Sequence, residues 1–262
     1  MNKNIKLNRI DRFSPSGIID YISCPKMFYY KYVAKVQLPQ KQIHLVFGSA
    51  IHAGLEGLFT KKDPYKEFEK YFLKEKLMDD EQNLFQEYLV LGKDMLRNYL
   101  ERHETLNKLY GLNEGESEKY ERDFIVNPLS GEKSSLPMSS KTDRITDSER
   151  IIEFKTSKRK WKKNALNFTI QTKLYSLRHF ANTGRLPEEI VYIILLKEFN
   201  KYDKSQKIQV LTTNYTKQDL AQTFEQVELI LSKINNNEFN RSYGFHSPYC
   251  DCFRYEEVLN FK

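Results

Sequence analysis

Between residues 64 and 110 apolar side chains return every three or four positions: Phe68, Tyr71, Phe72 and Leu77, then Leu84, Phe85, Tyr88, Leu89 and Leu91, then Met95, Leu96, Tyr99 and Leu100. That period gathers one apolar face on an α-helix, so the whole stretch is predicted to be helical, with its aromatic stripes spent on packing. Upstream, Ser14 and Pro15 ahead of Ile18, Ile19 and Ile22 supply a helix cap and first turn, and Pro25 begins a second helix after Cys24. Residues 1–12 are polar and read as poorly ordered chain or a short strand. The pattern then changes period. Tyr120–Val126 alternates and should open a sheet, and the Pro-, Ser- and Gly-rich residues 127–140 form a loop or hairpin turn. Ile145, Ile151, Ile152 and Phe154 surround Asp147-Ser148, a pair suited to the turn of a β-hairpin. A helix over 167–182 ends at Gly184, ahead of Pro187; Glu189–Leu196 is a buried strand and Lys207–Thr212 an alternating one. Residues 216–236 form a last long helix with Leu220, Phe224, Val227, Leu229, Ile230 and Ile234 turned inward. The sum is an α+β (α/β) chain with a mixed sheet flanked by helices and a helical N-terminal region.

Composition narrows what such a chain does. With 262 residues and 40% hydrophobic content it can build one substantial core with a peripheral helical region, or two small domains. A net charge of +7 alongside 35 carboxylates suits a partner made of phosphates, with some acids reserved for metal. Tyr and Phe number 17 each, and Phe28-Tyr29-Tyr30-Lys31-Tyr32 places rings among lysines. Such rings either stack on unpaired bases or fill the core, and for most the core is the expected place. No run of 18 apolar residues appears and Met-Asn-Lys-Asn-Ile-Lys lacks an apolar signal core, so a cytoplasmic protein with no membrane partner is expected. Three cysteines, an odd number, argue against a disulfide framework.

Candidate chemistry gathers in residues 142–175. Side chains alternate along a strand, so Glu153 and Lys155 share a face while Phe154 points away, and Asp143 on the neighbouring strand can join them. Taken alone, Glu-x-Lys on a strand is as well served by a solvated ion pair. Two carboxylates converging beside a lysine, however, suit a hard divalent cation that polarises a phosphate and lowers the pKa of bound water.

Asp143, Glu153-Phe154-Lys155 and Gln171-Thr-Lys-Leu-Tyr175 together resemble the PD-(D/E)XK nuclease superfamily, and within it the RecB-type exonucleases and their CRISPR-associated relatives. The serine start at Ser14, Cys24-Pro25 and the basic aromatic stretch after it are similar to the opening of RecB-type domains, and Gly48-x-x-x-His52 matches a family motif on a helix facing the site. One departure is Ser140, where the family usually has glycine three residues before the aspartate. The resemblance implies a restriction-endonuclease-like core in a single domain over 1–262, with a helical insertion or lid at about 60–112 and a catalytic core at about 118–236. It implies Mg²⁺ or Mn²⁺ held by Asp143, Glu153 and the Phe154 carbonyl, water activated by Lys155, and Gln171 and Tyr175 beside the scissile strand. His52 would support the metal side. Glu121 is the candidate for a glutamate that relatives turn toward the metals, its alternative being an edge-strand charge.

After Lys155 the run Lys158, Arg159, Lys160, Trp161 could grip a backbone phosphate and stack a base, or be a solvated charge run. Many RecB-type nucleases pin the chain ends with an iron-sulfur cluster held by one N-terminal and three C-terminal cysteines. Here Cys24, Cys250 and Cys252 occupy such places, with His246 nearby, but one ligand is missing and Cys-x-Cys is unusual spacing. An iron-sulfur cluster, zinc, or a lost site now serving as packing are the alternatives, and no cluster is expected. The function implied is a metal-dependent DNA nuclease, an exonuclease on single strands or DNA ends rather than an endonuclease. DNA repair, recombination, CRISPR adaptation and phage DNA processing are its settings, with protein partners or self-association open. The alternative is a nuclease-like fold that binds DNA or joins a complex without chemistry.

Overall fold

The computed structural model describes residues 10–115, 121–199, 206–242 and 250–260. Helix α1 (Pro15–Ser23) starts as its sequence predicts: the Ser14 hydroxyl accepts the Gly17 amide at 3.0 Å, and Pro15 sits where no amide is needed. After Cys24 the chain restarts at Pro25 in the short α2 (Pro25–Phe28) and widens into a π-helical turn over Tyr29–Val33. Three longer helices follow, α3 (Ile43–Phe59), α4 (Pro64–Lys74) and α5 (Phe85–Tyr110). The continuous helix expected over 64–110 is broken at 75–78. There Lys41 donates its amide to the Lys76 carbonyl and accepts the Met78 amide, taking backbone groups a helix would need.

The main sheet has the order β3-β4-β5-β6, from β3 (Arg144–Ile145), β4 (Arg150–Ser157), β5 (Glu189–Phe199) and β6 (Gln206–Thr213). Strands β3 and β4 are antiparallel, β4 and β5 parallel, β5 and β6 antiparallel. The parallel step requires a crossover, and α6 (Ile170–Thr183) makes it, ending at Gly184 with φ 73°. The strand expected over 120–126 exists as β1 (Glu121–Asp123), but it pairs with β2 (Met138–Ser140) in a separate two-stranded ribbon. The outer edge of β2 is taken instead by Phe13, whose amide reaches the Pro137 carbonyl and whose carbonyl accepts the Ser139 amide.

Alternation along β4 and β5 sorts their side chains onto two faces. Ile152, Phe154, Val191, Ile193 and Leu195 face α3, α4 and α5, packing with Phe47, Ile51, Phe68, Met95, Leu96 and Tyr99. Ile151, Ile190, Tyr192, Ile194 and Leu196 face Leu166 and the Tyr175 side of α6. The other side of α6, Leu174 and Leu177, packs on Ile18 and Tyr21 of α1 and on α7 (Lys217–Asn235). In α7 the inner face is Leu220, Phe224, Val227, Leu231 and Ile234, a strict three-four spacing; Leu229, expected inside, is 59% exposed because it falls off that stripe. Helices α4 and α5, from the region read as an insertion or lid, thus share one face of the sheet with α3. The short α8 (Cys252–Asn260) lies against α2 through Tyr30 and Tyr255.

Candidate active site

The β3–β4 hairpin sets the two acids. Its register pairs Arg144 with Ile152, so continuing it by one residue puts Asp143 opposite Glu153. The turn closes as Asp147-Ser148 suggests: the Thr146 amide reaches the Arg150 carbonyl, and Glu149 takes a left-handed φ of 59°. Asp143 Oδ2 accepts the Phe154 amide at 2.7 Å, and Oδ1 lies 3.0 Å from His52 Nδ1, delivered by α3. Glu153 Oε1 accepts the Lys155 ammonium at 2.5 Å and the Gln171 amide at 2.9 Å. Gln171 Oε1 accepts a second Lys155 N–H at 2.9 Å, while its Nε2 also donates to Tyr175 Oη at 2.8 Å. Tyr175 Oη in turn donates a hydrogen bond to the Lys141 carbonyl at 3.1 Å. Asp143, Glu153, Lys155, Gln171, Tyr175 and His52 thus form one hydrogen-bonded group across two strands and two helices, with the Phe154 backbone inside it.

Burial splits the two carboxyls. The Glu153 side chain is only 3% exposed; burial first, then the Asp143 charge, push its carboxyl up to about 7. Burial also opposes ionisation of Asp143, but the His52 charge and hydrogen bond and the Phe154 amide outweigh it and hold that carboxyl below its ordinary value. His52 is itself raised, since Asp143 outweighs the burial that would lower it. Glu153 Oε2 is buried with no hydrogen-bond partner among the described residues. A buried carboxylate oxygen left unpaired costs about 1–3 kcal/mol, and two facing acids of which one resists ionisation describe a site short of positive charge. The donor set, two carboxylates with an imidazole bonded to one of them, fits a hard divalent cation. A cavity of about 160 Å³ opens beside it, lined by His52, Glu56, Lys141 and Asp143 among others, with Lys141 and Glu56 paired at 2.7 Å on its rim.

Glu121 lies in β1 opposite Ser140. Lys158, Arg159 and Lys160 are exposed, whereas Trp161, expected as a free stacking ring, is half-buried: its ring lies 5.7 Å from Tyr192 and its Nε1–H donates to Ser157 Oγ. The Sγ atoms of Cys24, Cys250 and Cys252 all lie within 4.8 Å of one another, so the chain ends do meet at the thiols; His246 lies outside the described residues. In this cluster burial pushes the Cys252 thiol up to about 12.

Sequence reasoning passed over Arg178. It is buried in α6 and donates to the Ser140 carbonyl and hydroxyl and to Thr142 Oγ1, fixing the chain on both sides of Lys141 just before Asp143. Burial lowers its guanidinium to about 10. The signal was present, since 171, 175 and 178 share one helical face. Ser140, the departure from the family's glycine, supplies the hydroxyl this arginine uses.

A search of curated proteins finds no match. Eleven solved chains match. One, described as "Putative exonuclease" from Eubacterium rectale, is 17% identical, covers 93% of this chain and 87% of its own, and superposes with a TM-score of 0.56, a likeness of fold. Another, described as SSO0001, is 10% identical over 79% of this chain and 82% of its own, with a TM-score of 0.30. The mixed four-stranded sheet with flanking helices is a restriction-endonuclease-like fold. The model of the PD-(D/E)XK nuclease superfamily, whose members generally use divalent metals, matches residues 12–255, from ahead of α1 into α8 and so across the hairpin, α6 and the whole sheet. The chain belongs to the PD-(D/E)XK nuclease superfamily.

Proposed function

We propose that this protein is a Mg²⁺- or Mn²⁺-dependent deoxyribonuclease acting as an exonuclease on single strands or DNA ends. The observation that carries the reading is the buried Oε2 of Glu153, without a hydrogen-bond partner among the described residues, opposite Asp143 and beside a lysine held by Glu153 Oε1 and Gln171. Asp143 and Glu153 would hold the cation, with the Phe154 carbonyl and His52 supporting it. When bound, a divalent cation polarises the scissile phosphate and lowers the pKa of a ligating water.

The chain's own residues do the rest. Glu153 and Gln171 occupy two of the three N–H bonds of Lys155, which fixes the ammonium and leaves its third proton to orient a water or a phosphate oxygen. Tyr175 holds Gln171 in the orientation that presents its carbonyl to Lys155. His52 keeps Asp143 ionised. Hydrolysis joins the water oxygen to phosphorus and releases the bridging oxygen as an alcohol, and Lys155 is placed to offset charge on the phosphoryl group. Lys158, Arg159 and Lys160, just beyond β4, would meet neighbouring phosphates.

The test is degradation of end-labelled linear DNA and of covalently closed circles with Mg²⁺, Mn²⁺ or EDTA. Linear DNA is expected to be degraded from its ends in a metal-dependent way, with circles spared. Glu153→Ala and Lys155→Ala should lose cleavage and keep their fold. Unchanged cleavage in both variants removes the mechanism, and binding without any metal-dependent cleavage favours a non-catalytic DNA-binding subunit.

A further inference from the structure

The basic segment between β4 and α6 ends in an exposed ring. Among the described residues Phe168 is the most exposed large apolar side chain, at 82%, although it lies in a well-anchored turn. Leu166 is buried beneath it; the Leu166 carbonyl accepts Tyr215 Oη at 3.0 Å and the Thr169 amide at 3.2 Å, and Thr169 Oγ1 donates to the Ala165 carbonyl at 3.1 Å. Earlier in the segment Trp161 is pinned by a reciprocal pair with Gln209, its amide donating at 2.8 Å and its carbonyl accepting at 3.0 Å. The turn is therefore held at both ends and shows Phe168 outward. Exposing a phenyl ring forgoes the burial that keeps most rings of this chain inside.

The segment that carries it has charge of one sign. From Phe154 to Pro187 the sequence contains no Asp or Glu, and Lys158, Arg159, Lys160, Lys162 and Lys163 are all exposed. Phe168 also flanks a groove of about 490 Å³ between α1, α6 and α7, with Ile22, itself 55% exposed, and Ile170 on its apolar side and Lys173 and Gln226 among its polar lining. Phe168 is three residues from Gln171, so their Cα atoms are at most about 11 Å apart even if the chain between them is fully extended. That is the length of about three stacked nucleotides at about 3.4 Å each.

We propose that Phe168 is a stacking platform for a base of the strand engaged at Asp143, Glu153 and Lys155, one to three nucleotides from the reacting phosphate, with the flanking cations on its backbone. This rests on the nuclease reading for the identity of the strand. An aromatic face offers itself to any base, and a cationic segment with no acid of its own suits a phosphate backbone better than a protein surface. Trp161, the ring expected in this role, instead braces the segment from beneath.

The experiment measures binding of a fluorescent 12-nucleotide single strand in Ca²⁺ by the full chain carrying Glu153→Ala, so that cleavage is not read. Adding Phe168→Ala is expected to weaken binding about tenfold, and Phe168→Trp to hold or tighten it, with thermal stability unchanged in both. On a strand whose sugars carry no bases, Phe168→Ala and its parent should bind alike. Equal binding of the full-base strand by Phe168→Ala, a loss that persists without bases, or no binding by the parent each overturns the proposal; the first leaves the patch to a protein partner. If the base-dependent loss appears but the wild type shows no metal-dependent cleavage, the nuclease reading fails and the platform stands. If cleavage is normal but Phe168→Ala binds alike, the reverse holds.

Discussion

Replacing Glu153 by Gln should make the metal-free protein more stable at alkaline pH. The carboxyl moves from an ordinary 4.5 to about 7 in the folded chain, a shift of about 2.5 units at about 1.36 kcal/mol each, or about 3 kcal/mol in all. The sign follows from proton binding. Between those two values the folded state holds the proton and the unfolded state does not, so stability falls as pH rises through the window and levels off above it. About 1 kcal/mol of the penalty is already present at pH 5, leaving about 2–3 kcal/mol between pH 5 and pH 8.5. Asp143 does not confuse the comparison, because its lowered value adds stability that is present above its ordinary 3.8 and is lost only as pH falls below that. His52, raised above 6.5 chiefly by Asp143 and less by Glu153, loses its contribution as pH climbs past that value; the variant keeps the Asp143 part, and losing the Glu153 part only narrows the gap between the two proteins. Urea unfolding in EDTA at the two pH values reads the effect as a gap between wild type and Glu153→Gln that opens with pH. Added Mg²⁺ at pH 8.5 should then stabilise the wild type and much less the variant, since only an ionised Glu153 completes the carboxylate pair. Parallel stability curves in EDTA would refute the argument that burial and Asp143 oppose the Glu153 charge.

Arg178→Met should cost about 1–3 kcal/mol in denaturant unfolding, by stranding the Ser140 and Thr142 acceptors, and should lower metal-dependent cleavage further than that loss explains; full activity would show that the Asp143 loop holds itself. Gly92→Ala should destabilise by about 1–3 kcal/mol despite the better helix former, because a Cβ there would lie 2.1 Å from the Phe68 ring; a rise in melting temperature would contradict the close crossing of α4 and α5. Iron and zinc analysis of anaerobically purified protein should give less than one ion per chain, since no fourth ligand joins Cys24, Cys250 and Cys252 among the described residues; a full equivalent would show the thiols occupied.

The site was legible where chemistry and period coincide. Glu153 and Lys155 had to share a face because strands alternate, and Asp143 had to meet them once Asp147-Ser148 turned the chain, so the hairpin could be read without coordinates. Gln171 and Tyr175 followed from one helical turn. What escaped depends on tertiary partners that no local pattern encodes. The helix expected through 75–78 gave way because Lys41, more than thirty residues earlier, claims its backbone groups. Strand β1 pairs with β2 outside the main sheet, in a ribbon whose other edge is taken by Phe13, more than a hundred residues earlier. Trp161 turned inward for a similar reason. Composition cannot say that Trp161 will find Tyr192 and Gln209 while Phe168, in a turn anchored through Leu166, is left facing solvent. Alternation and helical spacing thus determine which side chains share a face. Which of those faces is left open to a ligand is determined by distant segments competing for backbone hydrogen bonds and core volume, and this is why the acids could be named from spacing while the exposed ring could not.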